Sequence, residues 1–479
     1  MLFNSVEFLL FLPCVFVLYW FVFNRYLHLQ NSLLLIASYF FYGWWSWKFM
    51  LLLLGSTILD YAYGFGVASS DHRKSRFFLW MSVLNNVGIL AIFKYYNFFI
   101  TQIEESFSLL GVHFSPTLLQ IGLPVGISFY TFHGMSYVFD IYRKQLNPVK
   151  SFVDYALFVS FFPLLVAGPI ERAHHLLPQV QKRREFNYTQ AIAGCRLIVW
   201  GLFKKIVIAD SLSKTVDYVF ANFRILEANS LLIGAVAFSF QIYADFSGYS
   251  DIALGTANLF GFELLSNFKF PYFSRNLAEF WRRWHISLSS WFRDYLYIPL
   301  GGSRNGLIVS IRNTLVIFIV SGFWHGASWT FIIWGFIHAC GFLPLLIANR
   351  NKAFVSEPVA AFRFMPSFRE LLQMIKTFLF VTFAWVFFRS EKLVEAFQFI
   401  ARIVKSYWTN PSMLISLPAE KMVFIYIFPF LLIEWYLRGN ERQLNFPKNP
   451  LIRRFIYVIL IAFIYISYGM NNNFIYFQF

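Results

Sequence analysis

The stretch SGFWHGASWTFIIWGFIHA, Ser321 to Ala339, decides how this chain folds. It lies in a run from Asn313 to Asn349 that contains no Asp, Glu, Lys or Arg. About 20 apolar residues span the hydrocarbon of a bilayer as a helix, so the run is long enough to cross one. It nevertheless carries His325 and His338 among glycines and tryptophans, where lipid offers an imidazole no hydrogen bond. A membrane segment that holds such groups needs a reason for them.

The rest of the chain has the same character. Of its 479 residues 58% are hydrophobic and only 13% are charged, and the mean hydropathy is +0.56. Soluble domains carry about 25% charged residues. The composition therefore excludes a soluble protein and predicts an all-α polytopic membrane protein. Apolar runs near 5–23, 31–47, 49–67, 77–99, 118–139, 152–170, 190–209, 229–245, 248–265, 314–347, 371–388, 421–437 and 452–469 predict about 11–13 membrane segments, re-entrant ones included. The longest polar stretches are themselves rich in aromatics, so residues 1–479 read as a single membrane-embedded domain.

The net charge is +16, from 40 Lys and Arg against 24 Asp and Glu. The basic residues sit in short breaks between apolar runs, as the positive-inside rule and anionic lipid require. No nucleic-acid motif accompanies them, so no nucleic-acid partner is expected. Cys14, Cys195 and Cys340 lie in apolar contexts without CxxC spacing and read as packing residues. The N-terminal MLFNSVEFLLFLPCVFVLYWFVF has no basic leader and reads as a first membrane helix.

Charge also predicts orientation. The breaks at Arg25–Gln30, Asp71–Arg76, Ile141–Lys150 and Leu437–Arg454 should be cytoplasmic, and the acidic Thr101–Phe107 and the uncharged tail from Met470 should lie outside. The segment 152–170 does not fit an ordinary crossing. Basic residues flank it on both sides, and Pro163, Gly168 and Pro169 interrupt its helix hydrogen bonds. It is expected to dip in and return, a proline-kinked span being the alternative.

Three groups of residues bear on chemistry. In NLAEFWRRWHISLSSWFRDYLYIPLGGSRNG, Asn276 to Gly306, the residues Trp281, Trp284, His285, Leu288, Phe292 and Tyr295 recur at helical spacing. Arginines fall on the other faces, which predicts an amphipathic interfacial helix with His285 on its aromatic side. Asp60, Asp245 and Asp251 stand in apolar runs, either as functional carboxylates or as structural hydrogen-bond nodes. His338 reads as a packing residue on the same helix as His325. Around His325, Gly322 and Gly326 would let a ligand or another backbone approach, and Trp324 and Trp329 would wall a cavity. A dry pocket keeps imidazole neutral, the form that works as a general base. No GxSxG elbow is present, and no metal site is expected, because His174 and His175 lack acidic or cysteine neighbours in the ERAHHLLPQ loop and read as surface residues.

At these residues the chain resembles the membrane-bound O-acyltransferase family, most closely its bacterial branch of alginate O-acetylation membrane proteins. FPLLVAGPIER (Phe162–Arg172), QIYADFSGYSDIALG (Gln241–Gly255), FWRRWHISLSSWFRDYLYIPLGG (Phe280–Gly302) and GFWHGASWTFIIWG (Gly322–Gly335) carry the resemblance. It implies a ring of membrane helices around a thin central tunnel, with His325 catalytic and His285 assisting. It also implies a cytoplasmic thioester donor, acetyl-CoA or an acyl-carrier-protein thioester, with no permanently bound cofactor and no cofactor-binding residues identified. The acceptor would be a cell-surface or exported polysaccharide, reached with an extracytoplasmic SGNH-type partner from a protein of the bacterial inner membrane. D-alanyl transfer to teichoic acid is the alternative within the family, and a transporter or flippase the alternative outside it.

Overall fold

The computed structural model describes residues 1–479 apart from 114, 121, 167, 356, 410–418, 443, 445, 446, 448, 470–473 and 475–479. The expected outer tail therefore lies outside the described residues except for Phe474. Helices make up the secondary structure of the described residues. Seven of them are long and apolar enough to cross a membrane: Trp47–Val67, His72–Leu109, Ala228–Leu259, Leu307–His325, Trp329–Ile347, Phe368–Arg389 and Pro450–Ser467.

The tally of apolar runs differs from the tally of helices for physical reasons. The runs 229–245 and 248–265 join in one 32-residue helix, Ala228–Leu259, which carries Gln241, Asp245 and Asp251 because protein surrounds it. In its apolar window 83% of the residues are buried, against 6% in Pro450–Ser467, so the first is a core element and the second faces outward. Conversely the run 314–347 breaks into two helices at Gly326–Ser328, where Ser328 Oγ accepts from the Thr330 amide. Segment 152–170 forms helices Phe152–Ser160 and Phe162–Leu165, with Phe161 bending the chain between them. At 1.5 Å per residue neither approaches the roughly 30 Å of a crossing. Tyr155 to Leu165 are buried, so this broken backbone is enclosed by protein.

The chain gathers into two compact units. The first comprises Met1–Gly194 and Ala253–Leu265. Here Asp60 accepts from Ser82 Oγ at 2.6 Å and Asn86 Nδ2 at 2.9 Å, tying the helices Trp47–Val67 and His72–Leu90. That is the structural reading of this aspartate. His133, fully buried, accepts the Glu171 amide on Nε2 at 3.1 Å and so anchors the chain that follows the broken segment.

The second unit comprises Cys195–Ile252 and Ser266–Phe479. Its hairpin of helices Leu307–His325 and Trp329–Ile347 is packed backbone against backbone. A Cβ on Gly322 would lie 2.2 Å from Phe331 O, and one on Gly335 would lie 2.2 Å from Phe318 O. Small residues allow such approach where lipid supplies no hydrophobic drive between helices. Gly322→Val should therefore force the hairpin apart and lower stability by about 1–3 kcal/mol. A fall in the melting temperature of the detergent-solubilised protein checks this, and an unchanged transition would contradict the tight crossing.

Candidate active site

His325 is the last residue of helix Leu307–His325, and Gly326 continues in extended conformation. The helix end turns the imidazole inward, leaving it 3% exposed. Its ring lies 4.8 Å from Trp324, 5.2 Å from Trp334 and 5.4 Å from Phe388, centroid to centroid. Two expectations change here. Trp329 is exposed and does not wall the site, a place taken by Trp334 and Phe388. Gly326 admits the Phe331 ring, and Gly322 the Phe331 carbonyl, so both glycines serve the hairpin.

His285 does not ride an amphipathic interfacial helix. Helix Leu277–Arg283 starts at Asn276, whose Oδ1 accepts the Glu279 amide at 2.8 Å. Arg275 and Arg283 then converge on the buried Glu279 carboxylate at 3.0 and 2.9 Å. At Trp284 the chain becomes extended, and His285 adopts a left-handed conformation, φ 43° and ψ 53°, before helix Ile286–Phe292 begins. Periodicity counts through such a break because Trp284, His285 and Leu288 are all buried. Their burial turns the aromatic side into protein rather than lipid. A non-glycine residue held left-handed is a costly conformation that clusters at functional sites. Burial pushes the His285 imidazole down, to about 3, so the ring is neutral.

The two imidazoles meet. The ring centroids of His285 and His325 lie 6.2 Å apart, although forty positions separate them in the chain. Phe246 at 4.7 Å and Trp324 at 6.0 Å enclose His285 further. His338 lies on the helix after His325, not on the same one, so an angle counted around a single helix does not separate them. Trp334 stands between: its ring is 5.2 Å from His325 and 5.0 Å from His338. Trp281 Nε1 donates to His338 Nδ1 at 3.3 Å, which supplies the hydrogen bond expected of a packing residue.

Beside the His285 segment lies an open recess of about 480 Å³ whose lining includes Lys269, Trp281, Arg282, Arg283, Ser289 and Arg293. Arg282 donates to the carbonyls of Asn351 and Ala353 at 2.7 and 2.5 Å and so holds the 351–353 loop at its edge.

Sequence reading missed a buried charge cluster in the same unit. Lys204 pairs with Asp251 at 2.6 Å, and Lys205 with Asp245 and Asp210 at 2.8 and 2.9 Å. The lysines of FKKIVIAD, Phe203 to Asp210, were the available signal, since two ammonium groups in an apolar run require counter-ions. His174 and His175 have acidic partners after all: folding brings Asp140 to His174 at 2.8 Å, whereas Glu171, 2.7 Å from His175, already stood in the ERAHHLLPQ stretch four residues before it. No group of three or more His, Cys, Asp or Glu suited to a metal ion occurs among the described residues.

The sequence profile of the membrane-bound O-acyltransferase family matches residues 144–388, which include both histidines. This chain belongs to that family. A probable alginate O-acetylase of Pseudomonas aeruginosa is 40% identical over 401 residues, covering 83% of this chain and 74% of the relative. A peptidoglycan O-acetyltransferase of Helicobacter pylori is 37% identical over 438 residues, covering 84% and 80%. A teichoic acid D-alanyltransferase of Bacillus subtilis is more distant, 28% identical over 281 residues, covering 56% and 69%. The protein is thus a multi-pass membrane acyltransferase, and the transporter reading falls away.

In this acyltransferase Lys205 is a buried cation shared by two buried aspartates. Lys205→Ala would leave Asp210 and Asp245 facing each other without their shared cation, a loss of about 3–5 kcal/mol for a broken buried pair. Heat-stability profiles should show that loss, and the double variant Lys205→Met, Asp245→Asn should recover part of it. Equal stability of Lys205→Ala and the unaltered protein would overturn this account.

Proposed function

We propose that this acyltransferase passes an acetyl group from a cytoplasmic thioester, acetyl-CoA or a carrier-protein thioester, toward O-acetylation of a cell-surface or exported polysaccharide. Its place is the bacterial inner membrane, and an extracytoplasmic SGNH-type partner completes delivery. The observation that carries the reading is the meeting of His285 and His325, two buried imidazoles supplied by separate segments at 6.2 Å. The greater identity to O-acetylating relatives than to the D-alanyltransferase favours acetyl over D-alanyl. The recess beside the His285 segment is lined by Lys269, Arg282, Arg283, Arg293 and Arg438 against Glu279, Glu357 and Glu441, an excess of two positive charges that would favour an anionic thioester donor.

In this reading an acceptor hydroxyl attacks the acyl carbon. The O–H bond breaks as the new O–acyl bond forms, and His325 takes the proton as general base. The C–S bond then breaks, and the sulfur leaves with that proton as a thiol. Aromatic walls keep water from competing for the acyl group. Basic Leu437–Arg454 marks the cytoplasmic face, so a cysteine placed at Asn449 should be labelled only from that side.

His325→Ala should insert normally but lose about 10²–10⁴-fold in rate. His338→Ala should lose a hydrogen bond, on the order of 1 kcal/mol, and keep its activity. The measurements are release of free coenzyme A from acetyl-CoA by the purified protein and acetyl content of the exported polymer at matched protein levels. Normal acetylation by His325→Ala would sink the assignment, and turnover with a D-alanyl carrier thioester alone would replace the donor.

A further inference from the structure

Asn267 lies eighteen residues before His285 and holds the break in the chain from outside. Its backbone carbonyl accepts the Ile286 amide at 2.9 Å. Its side-chain oxygen accepts from the Ser287 amide at 3.3 Å and from Ser287 Oγ at 2.9 Å. A backbone N–H can only donate, so the atom facing Ser287 is the oxygen, an orientation that leaves the buried Nδ2 without a partner among the described residues. That same oxygen lies 3.0 Å from His285 Nδ1.

A carbonyl oxygen only accepts. His285 Nδ1 must therefore carry the hydrogen, and the neutral ring keeps its lone pair on Nε2. Nε2 is buried and has no hydrogen-bond partner among the described residues. Among the described residues the His285 ring has as ring neighbours Phe246, Phe268, Trp324 and His325, of which His325 is the titratable one. An orphaned acceptor that faces aromatic walls and a second imidazole is aimed at whatever occupies the site in the working enzyme.

We propose that Asn267 is a positioning residue of the acyl transfer, selecting the Nδ1–H tautomer of His285 so that Nε2 meets the reactants as a lone pair. This rests on the reading that His285 takes part in the chemistry, and it narrows that part. A neutral His285 in this tautomer cannot donate to the acyl oxygen, so it does not polarise the carbonyl. It offers the proton released by the attacking hydroxyl a second acceptor beside His325, from which the proton returns to the departing sulfur as thiol.

The test uses the purified full chain with acetyl-CoA, compared across pH 5.5–8.5, a range of about three units around neutrality that spans ordinary imidazole titration. Asn267→Ala, which frees the tautomer, should lower kcat by about 10²-fold with KM for acetyl-CoA within a few-fold. Asn267→Asp keeps the acceptor oxygen but adds a negative charge that favours imidazolium. It should retain activity at the alkaline end and lose it at the acid end, because the base is then protonated. A loss from structural damage alone would fall evenly across pH. An Asn267→Ala kcat within twofold of the unaltered enzyme, or an unshifted profile in Asn267→Asp, would overturn the proposal. Should both variants fail to fold, 15N-histidine spectra of the unaltered protein decide it. The resonance that disappears in His285→Gln must be the Nδ1–H form, and an Nε2–H form refutes the role of Asn267. Full activity in His285→Ala would instead remove the underlying reading of the site.

Discussion

A helix that breaks inside protein must find new partners for the amides and carbonyls it releases, and much of the second unit is arranged around two such breaks. At Trp284–His285 the replacement partner is Asn267, whose backbone and side-chain oxygens receive the first amides of the next helix. At Gly326 the chain turns in extended form, and Ser328 caps the helix that returns. Both breaks end a helix beside a histidine. An unbroken helix would distribute its side chains around a cylinder, whereas a helix terminus projects a ring forward into the space that another terminus also faces. The juxtaposition of His285 and His325 is thus a consequence of where helices stop.

Those stops depend on close packing elsewhere. Gly322 and Gly335 let the hairpin helices touch through their backbones, which holds His325 against Trp334. On the other side, Gly201 and Gly248 bring the Lys204–Lys205 segment against helix Ala228–Leu259, where a Cβ on Gly201 would lie 2.5 Å from Gly248 O. That approach is what lets two lysines reach Asp245 and Asp251. The same helix presents Phe246 to His285 one residue after Asp245. Buried ion pairs contribute little net stability but tolerate few alternative arrangements, so this cluster is better understood as setting the register of the helix than as adding strength to it.

The chemistry of the site follows from desolvation. Burial keeps the His285 imidazole neutral, and neutral imidazole is the form that accepts protons. In the proposed reaction the aromatic walls would also keep water from the acyl group. The recess beside the His285 segment is by contrast open and lined by charged side chains of both signs.

Composition alone determined that the chain is a helical membrane protein, because 13% charge cannot solvate 479 residues, and the motifs around His285 and His325 pointed to acyl transfer. Hydropathy marks burial but not its cause. It therefore split the helix Ala228–Leu259, whose Asp245 and Asp251 are paired with lysines, and fused the helices on either side of Gly326, whose break has no charged residue to announce it. Periodicity failed at His285 for a related reason, since a left-handed residue between two helices keeps an apparent helical spacing when both sides are buried. Glu171 and Asp210 lie four and five positions from His175 and Lys205 and were within reach of the sequence, whereas the partners Asp140, Asp251 and Asp245 lie 34 to 47 positions away and only packing could assign them. Residue types were legible one at a time. The distance between two imidazoles forty residues apart, and the oxygen that orients one of them, belong to long-range packing, which local sequence does not encode in readable form.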